Sequence, residues 1–255
     1  MPADSRQQLV ALLVGGGSAL LFLTLVVLVW RTNGPVGLDR LADRLIRATG
    51  EGRRRLWWTA TRLGSPSWVA LSSATLVSVA LIWRDRVGAL LAVLGPAVTG
   101  LLTEFVAKPL VNCPASWGGR MFPSGHAGGL AAVAVVALVL VHRRWGRGAT
   151  AVLAPLAAVA VFASSVGVVR LGLHYPTDAV GGVALAATVV LSLTVGLEVL
   201  AAGPASGSLS PRRAPLENEE HVDKDTGRWL DGAGGALIGG HQLPTLHGRS
   251  RGSTR

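Results

Sequence analysis

Six runs of apolar residues, at 8–30, 66–83, 87–107, 126–141, 149–169 and 178–200, fill most of the first 200 positions. About 20 apolar residues, rising ~1.5 Å each, cross the ~30 Å hydrocarbon core of a bilayer. Lipid offers no partner to a backbone N–H or C=O, so runs of this length can pair those groups only by coiling into helices. The expected fold is therefore all-α, a polytopic membrane bundle of about six transmembrane helices. Composition agrees: the chain is 50% hydrophobic and 15% charged, against about 25% charged in an ordinary soluble domain. Disorder is excluded for most of the chain, because disordered segments are poor in apolar residues. The glycines follow no triplet period, which excludes collagen, and the single cysteine, Cys113, excludes a disulfide scaffold. The first run is preceded by Arg6 balanced by Asp4 and exceeds the apolar stretch of a cleavable signal, so an uncleaved signal anchor is expected.

The net charge of +10 raises nucleic acid as a partner. Its distribution argues otherwise, because the arginines sit between the apolar runs, where they meet anionic headgroups and set orientation. No nucleic-acid partner is expected, and the chain carries no signal of oligomeric state. Lys108 and Lys224 are the only lysines. That bias, with the Ala and Gly content, points to a GC-rich bacterial genome and so to a bacterial cell membrane. Arg84 and Arg86 join runs two and three, and Arg143, Arg144 and Arg147 join runs four and five. By the positive-inside rule these short loops are cytoplasmic. The 31–65, 108–125 and 170–177 connections then lie outside, and the C-terminal tail inside. Against this, 31–65 itself holds Arg31, Arg40, Arg44, Arg47, Arg53, Arg54, Arg55 and Arg62. Within it Leu38, Leu41, Leu45 and Ile46 share one helical face, which predicts an amphipathic helix over 37–49 lying on the membrane. Beyond 200 the composition turns to Pro, Gly, Ser and mixed charge. The expected organisation is a transmembrane domain over 1–200, its motif-bearing core at 60–200, and a disordered cytoplasmic tail over 201–255.

Two external connections carry the chemistry. Before run four, Pro123, Ser124 and Gly125 lead into His126. Ser124 is a natural N-cap, and the N–H groups of the first helical turn form an anion site. His126 beside that site is placed to donate a proton to a leaving oxygen. An ordinary Ser cap followed by an interfacial His would read the same. Before run six the chain reads Arg170-Leu-Gly-Leu-His174-Tyr-Pro-Thr-Asp178. On a continuous helix Arg170 and His174 share a face, and the turn forced by Pro176 returns Asp178 toward His174. That carboxylate would hold one ring nitrogen and leave the other as a nucleophile. A capping Asp beside a satisfied His is the plainer alternative. Taken together the two connections suit phosphoryl transfer: a histidine attacks phosphorus, cations balance the equatorial oxygens, and a second histidine protonates the departing alkoxide. No external Cys/His cluster or carboxylate pair has metal-ligand spacing, so neither metal nor cofactor is expected.

These residues resemble the signatures of the type 2 phosphatidic acid phosphatase superfamily of membrane lipid phosphatases: K-x-x-x-x-x-x-R-P, P-S-G-H and S-R-x-x-x-x-x-H-x-x-x-D. Pro123, Ser124, Gly125 and His126 match the second in full, and Lys108, His174 and Asp178 match parts of the others. The resemblance spans about 60–200. It implies His174 as nucleophile, Asp178 as its orienting partner, His126 as acid, and Lys108, Ser124 and Gly125 as phosphate ligands, with a phosphohistidine intermediate and a lipid phosphate or pyrophosphate as substrate. The chain departs from the signatures at Ala115-Ser116, where the first has Arg-Pro, and at Gly167-Val168, where the third has Ser-Arg. Arg170 and Arg120 are the available substitutes for those guanidiniums. A family member that binds lipid phosphates without turnover is the alternative, and a transporter or scaffold a more distant one, since the run centres are almost purely apolar.

Overall fold

The computed structural model describes residues 3–32, 34–48, 54–113 and 121–202. Arg120, Ala115 and Ser116, and the expected tail from 203 onward, lie outside the described residues. The helices are α1 (Ala3–Thr32), α2 (Gly37–Ala48), α3 (Arg54–Arg62), α4 (Pro66–Ile82), α5 (Arg86–Leu101), α6 (Lys108–Val111), α7 (Gly125–Arg170) and α8 (Pro176–Ala202). A π-helical stretch, Leu102–Ala107, joins α5 to α6. Among the described residues there is no strand, and the protein is an all-α integral membrane bundle.

By length and composition α1, the α5–α6 segment, α7 and α8 can each cross a bilayer. A further span is the pair α3 and α4, bent by 48° between them. Pro66 opens α4 at its first turn, where a missing N–H costs nothing. The sequence reading had no helix at 54–62, because that stretch is basic and lacks an apolar run.

Helix α7, 46 residues long, is two spans rather than one. Gly146 has φ 75° and ψ −162°, a conformation essentially confined to glycine, and it breaks the helical path. Ala127 and Val168 belong to one buried cluster, although on a straight helix they would stand about 60 Å apart. Val135 and Val139 likewise pack with Val161 on a common core. The chain therefore reverses at Gly146, and the arms 125–145 and 147–170 run antiparallel. With α3 and α4 taken as one bent pair and the arms of α7 taken separately, the described residues hold six segments of about membrane length.

The bundle core is built from small and β-branched side chains: Ala80, Ala92, Ala132, Val136, Ala186 and Val190, with Leu91 and Leu140. Small residues let helices approach closely in lipid, where apolar burial supplies no driving force. Large apolar side chains such as Leu20, Phe105, Val152 and Phe162 are exposed, as lipid-facing positions must be. At the end where α5 begins and α8 finishes, Arg143 lies 3.2 Å from Asp85 and 3.8 Å from Glu198, and Trp83 meets Trp145 edge to face at 4.8 Å. The sequence motifs gather at the opposite end.

Helix α2 forms over nearly the predicted range. Leu38, Leu41 and Leu45 are exposed along its outer side, as expected of a helix lying on a membrane surface. Ile46 turns inward against Ala127, Val168, Val169 and Ala179.

Candidate active site

Ser124 caps the 125–145 arm, its Oγ accepting from Ala127 N at 3.4 Å. It is fully buried, and its own N–H donates to the Asp178 carbonyl at 2.9 Å. That bond ties the start of α7 to the start of α8. Gly182 makes the approach possible, since a Cβ there would stand 2.3 Å from the Ser124 carbonyl oxygen. Gly125 and His126 follow in the first turn, where backbone N–H groups have no intrahelical acceptor. His126 lies within electrostatic reach of His174, Lys108 and Glu104.

His174 does not continue α7, so the helical face shared with Arg170 that its spacing predicts is not formed. The helix ends at Arg170, Gly172 takes φ 73°, and Leu173 N and His174 N both donate to the Val168 carbonyl, at 2.9 and 3.3 Å. The turn folds the imidazole inward, where it is 7% exposed. Its Nδ1 stands 3.4 Å from Asp178 Oδ2. This is ion-pair distance without hydrogen-bond geometry, and Nδ1 has no hydrogen-bond partner. Asp178 Oδ2 instead accepts from Tyr175 N at 2.8 Å, the contact of an acid in the first turn with the residue that starts the helix.

Lys108 Nζ lies 2.6 Å from Glu104 Oε1. The same oxygen is 3.1 Å from where a Cβ on Gly125 would stand, so the carboxylate sits between the ammonium and the N-terminus of α7. Arg170 contacts α2 and α3. Its Nη1 donates to the Ile46 carbonyl, and its guanidinium lies 5.7 Å from the centroid of the Trp57 ring.

Two further acids in this region were not singled out from the sequence. Glu104 had a legible signal, its four-residue spacing from Lys108 across the end of a span. Asp39 had none, because its role depends on α2 reaching α8. It is 1% exposed, with Oδ1 accepting from Thr177 N at 2.9 Å and Oδ2 from Thr177 Oγ1 at 2.7 Å. Oδ2 also accepts from Val36 N at 3.0 Å. Cys113 is buried with Val111, Met121 and Phe122. Burial pushes its thiol pKa up, and Asp178 and Asp39 push the same way, so it stays protonated and inert. Among the described residues no group of three or more His, Cys, Asp or Glu is placed to hold a metal.

A six-segment membrane bundle, with a capped Ser-Gly-His turn, a lysine and a buried His–Asp pair collected at one end, defines a narrow class of protein. Residues 89–198 match the model of the PAP2 superfamily. Lys108, Ser124, Gly125, His126, His174 and Asp178 all fall within the matched segment. The fold is similar to the crystal structure of a transmembrane PAP2-type phosphatidylglycerolphosphate phosphatase from Bacillus subtilis, with TM-score 0.59 and 22% identity over 73% of this chain and 96% of that one. A search of curated proteins returns no significant match.

Proposed function

We propose that this protein is a membrane lipid phosphatase that cleaves a phosphate monoester or pyrophosphate through a phosphohistidine. The observation that carries the reading is the buried His174–Asp178 pair, tied by the Asp178 carbonyl to the Ser124 turn. Nδ1 faces the carboxylate, leaving Nε2 as the nucleophile. In the first step Nε2 bonds to phosphorus, the ester or anhydride P–O bond breaks, and His126 gives its proton to the departing oxygen. Water then attacks the phosphohistidine, His126 takes a proton back, and inorganic phosphate leaves with the His174 lone pair restored. Lys108 and the first-turn N–H groups of α7 balance the charge on the equatorial oxygens in place of a metal. The basic loops at 84–86 and 143–147 support an extracytoplasmic site in a bacterial cell membrane.

The test is phosphate release by purified protein from a panel of phosphatidate, phosphatidylglycerol phosphate and a polyprenyl pyrophosphate. A denaturing quench at alkaline pH should trap protein-bound phosphate that is stable to base and released by acid in the wild type, and none in His174→Ala. A second reading, lipid-phosphate binding without turnover, is favoured by one observation. Arg170, a substitute for the absent motif arginines, is engaged by the Ile46 carbonyl and the Trp57 ring. Saturable binding of these lipids without phosphate release would select it. Restoring Val168→Arg together with Ala115→Arg would then be the decisive step.

A further inference from the structure

The His174 turn is gripped at both ends by one helix outside the matched family segment. Four residues before His174, Arg170 donates to the carbonyl of Ile46 in α2. Three residues after it, Thr177 donates both its N–H and its hydroxyl to Asp39, near the start of α2. Positions 39 and 46 are about 10 Å apart along the helix, so α2 meets the turn at two separated points.

We propose that Asp39 is a positioning residue for the phosphatase reaction, holding the first turn of α8 so that Asp178 keeps its place against both His174 and Ser124. The inference rests on the proposed function only for its kinetic consequence. Were α2 merely fastened to the bundle, any pair of contacts would serve. Instead both carboxylate oxygens converge on the residue preceding Asp178, one on its N–H and the other on its side chain, so the Pro176–Thr177 peptide and the Thr177 side chain are both held. Asp178 is the junction of the site: its carboxylate accepts from Tyr175 N and faces His174, and its carbonyl accepts from Ser124 N. Movement at Thr177 therefore reaches the nucleophile and the phosphate turn together. Asp39 is itself buried, and its charge is met by N–H groups at the starts of two helices, α2 and α8. A carboxylate buried on such terms is costly to keep for anchorage alone.

The experiment reads the imidazole directly and turnover separately. In protein carrying 15N-labelled histidine, with resonances assigned through single His→Gln variants, Asp39→Ala and Thr177→Val should both shift the His174 ring signals. His142, at the far end beside Thr150, should be unmoved, and Thr177→Ser should return His174 toward wild type. In an active wild type, Asp39→Ala should lower kcat about tenfold to a hundredfold with KM nearly unchanged. That loss should largely vanish when measured in an Asp178→Asn background. Should Asp39→Ala fail to fold, Thr177→Val carries both readings. Unmoved His174 signals, an unchanged kcat in active protein, or an undiminished loss in the Asp178→Asn background would each overturn the proposal. A wild type inactive on every lipid phosphate overturns the phosphatase reading instead, and the His174 signals still decide the role of Asp39.

Discussion

In the proposed mechanism His174 and His126 hold separate duties on separate segments, one in the turn before α8 and the other in the first turn of α7. Replacing either with alanine removes a nucleophile or an acid while leaving the apolar spans intact. Both variants should insert normally and lose phosphate release, His174→Ala most completely. Residual phosphoenzyme in the His174 variant would place the nucleophile elsewhere. Glu104 pairs with Lys108, so under the proposed function it competes with an incoming phosphate for the ammonium, and its carboxylate repels a dianion. Removing that charge in Glu104→Gln should therefore lower KM about two- to fivefold, the scale of a partly exposed ion pair. A higher KM would mean that Glu104 holds Lys108 in position rather than competing for it. The motif residues were legible because their chemistry lies in short spacings: a Ser cap before a His, and a His four residues before an Asp. The shared face of Arg170 and His174 depends on more than their spacing. Spacing alone assumed a continuous helix, whereas Gly172 ends it and directs the guanidinium toward Ile46 and Trp57.

At the scale of elements, the reversal inside α7 is the step that brings His126 and His174 to one end of the bundle. Gly146 takes backbone angles that a residue with a Cβ adopts at a cost of about 1–3 kcal/mol. Gly146→Ala should lower the thermal unfolding midpoint while leaving KM unchanged, because position 146 is an arm's length from the site. An unaltered midpoint would show that the loop absorbs the strain. Helix α2 offers a second test. Arg170 fastens its C-terminal half through a charge-assisted hydrogen bond to the Ile46 carbonyl, worth about 1.5–3 kcal/mol. Arg170→Ala should speed hydrogen exchange across 37–48 and lower kcat through the loosened His174 turn. Unchanged exchange with reduced kcat would return Arg170 to direct phosphate contact. The amphipathic period of α2 was readable from its leucines, but its inward residues Asp39 and Ile46 acquire meaning only from the helices they meet.

Over the whole molecule the ends differ in kind: one holds Arg143 between Asp85 and Glu198 with paired tryptophans, the other the histidines. Membrane-impermeant reagents should reach cysteines introduced at 171–173 from outside intact cells, and those at 144–147 only after permeabilisation. The reverse pattern would move the site to the cytoplasmic face. The span count, the ends of most helices and the motif residues follow from the sequence by itself, because bilayer thickness and backbone hydrogen bonding leave an apolar run of about 20 residues one solution. Only the tertiary structure decided which residues meet across the site: Glu104 with the start of α7, the Asp178 carbonyl with Ser124, and Asp39 with Thr177. Those partners are as many as 138 residues apart, and no local period records them. They meet because the helices pack through small side chains, and that packing is set by the shape of the whole bundle.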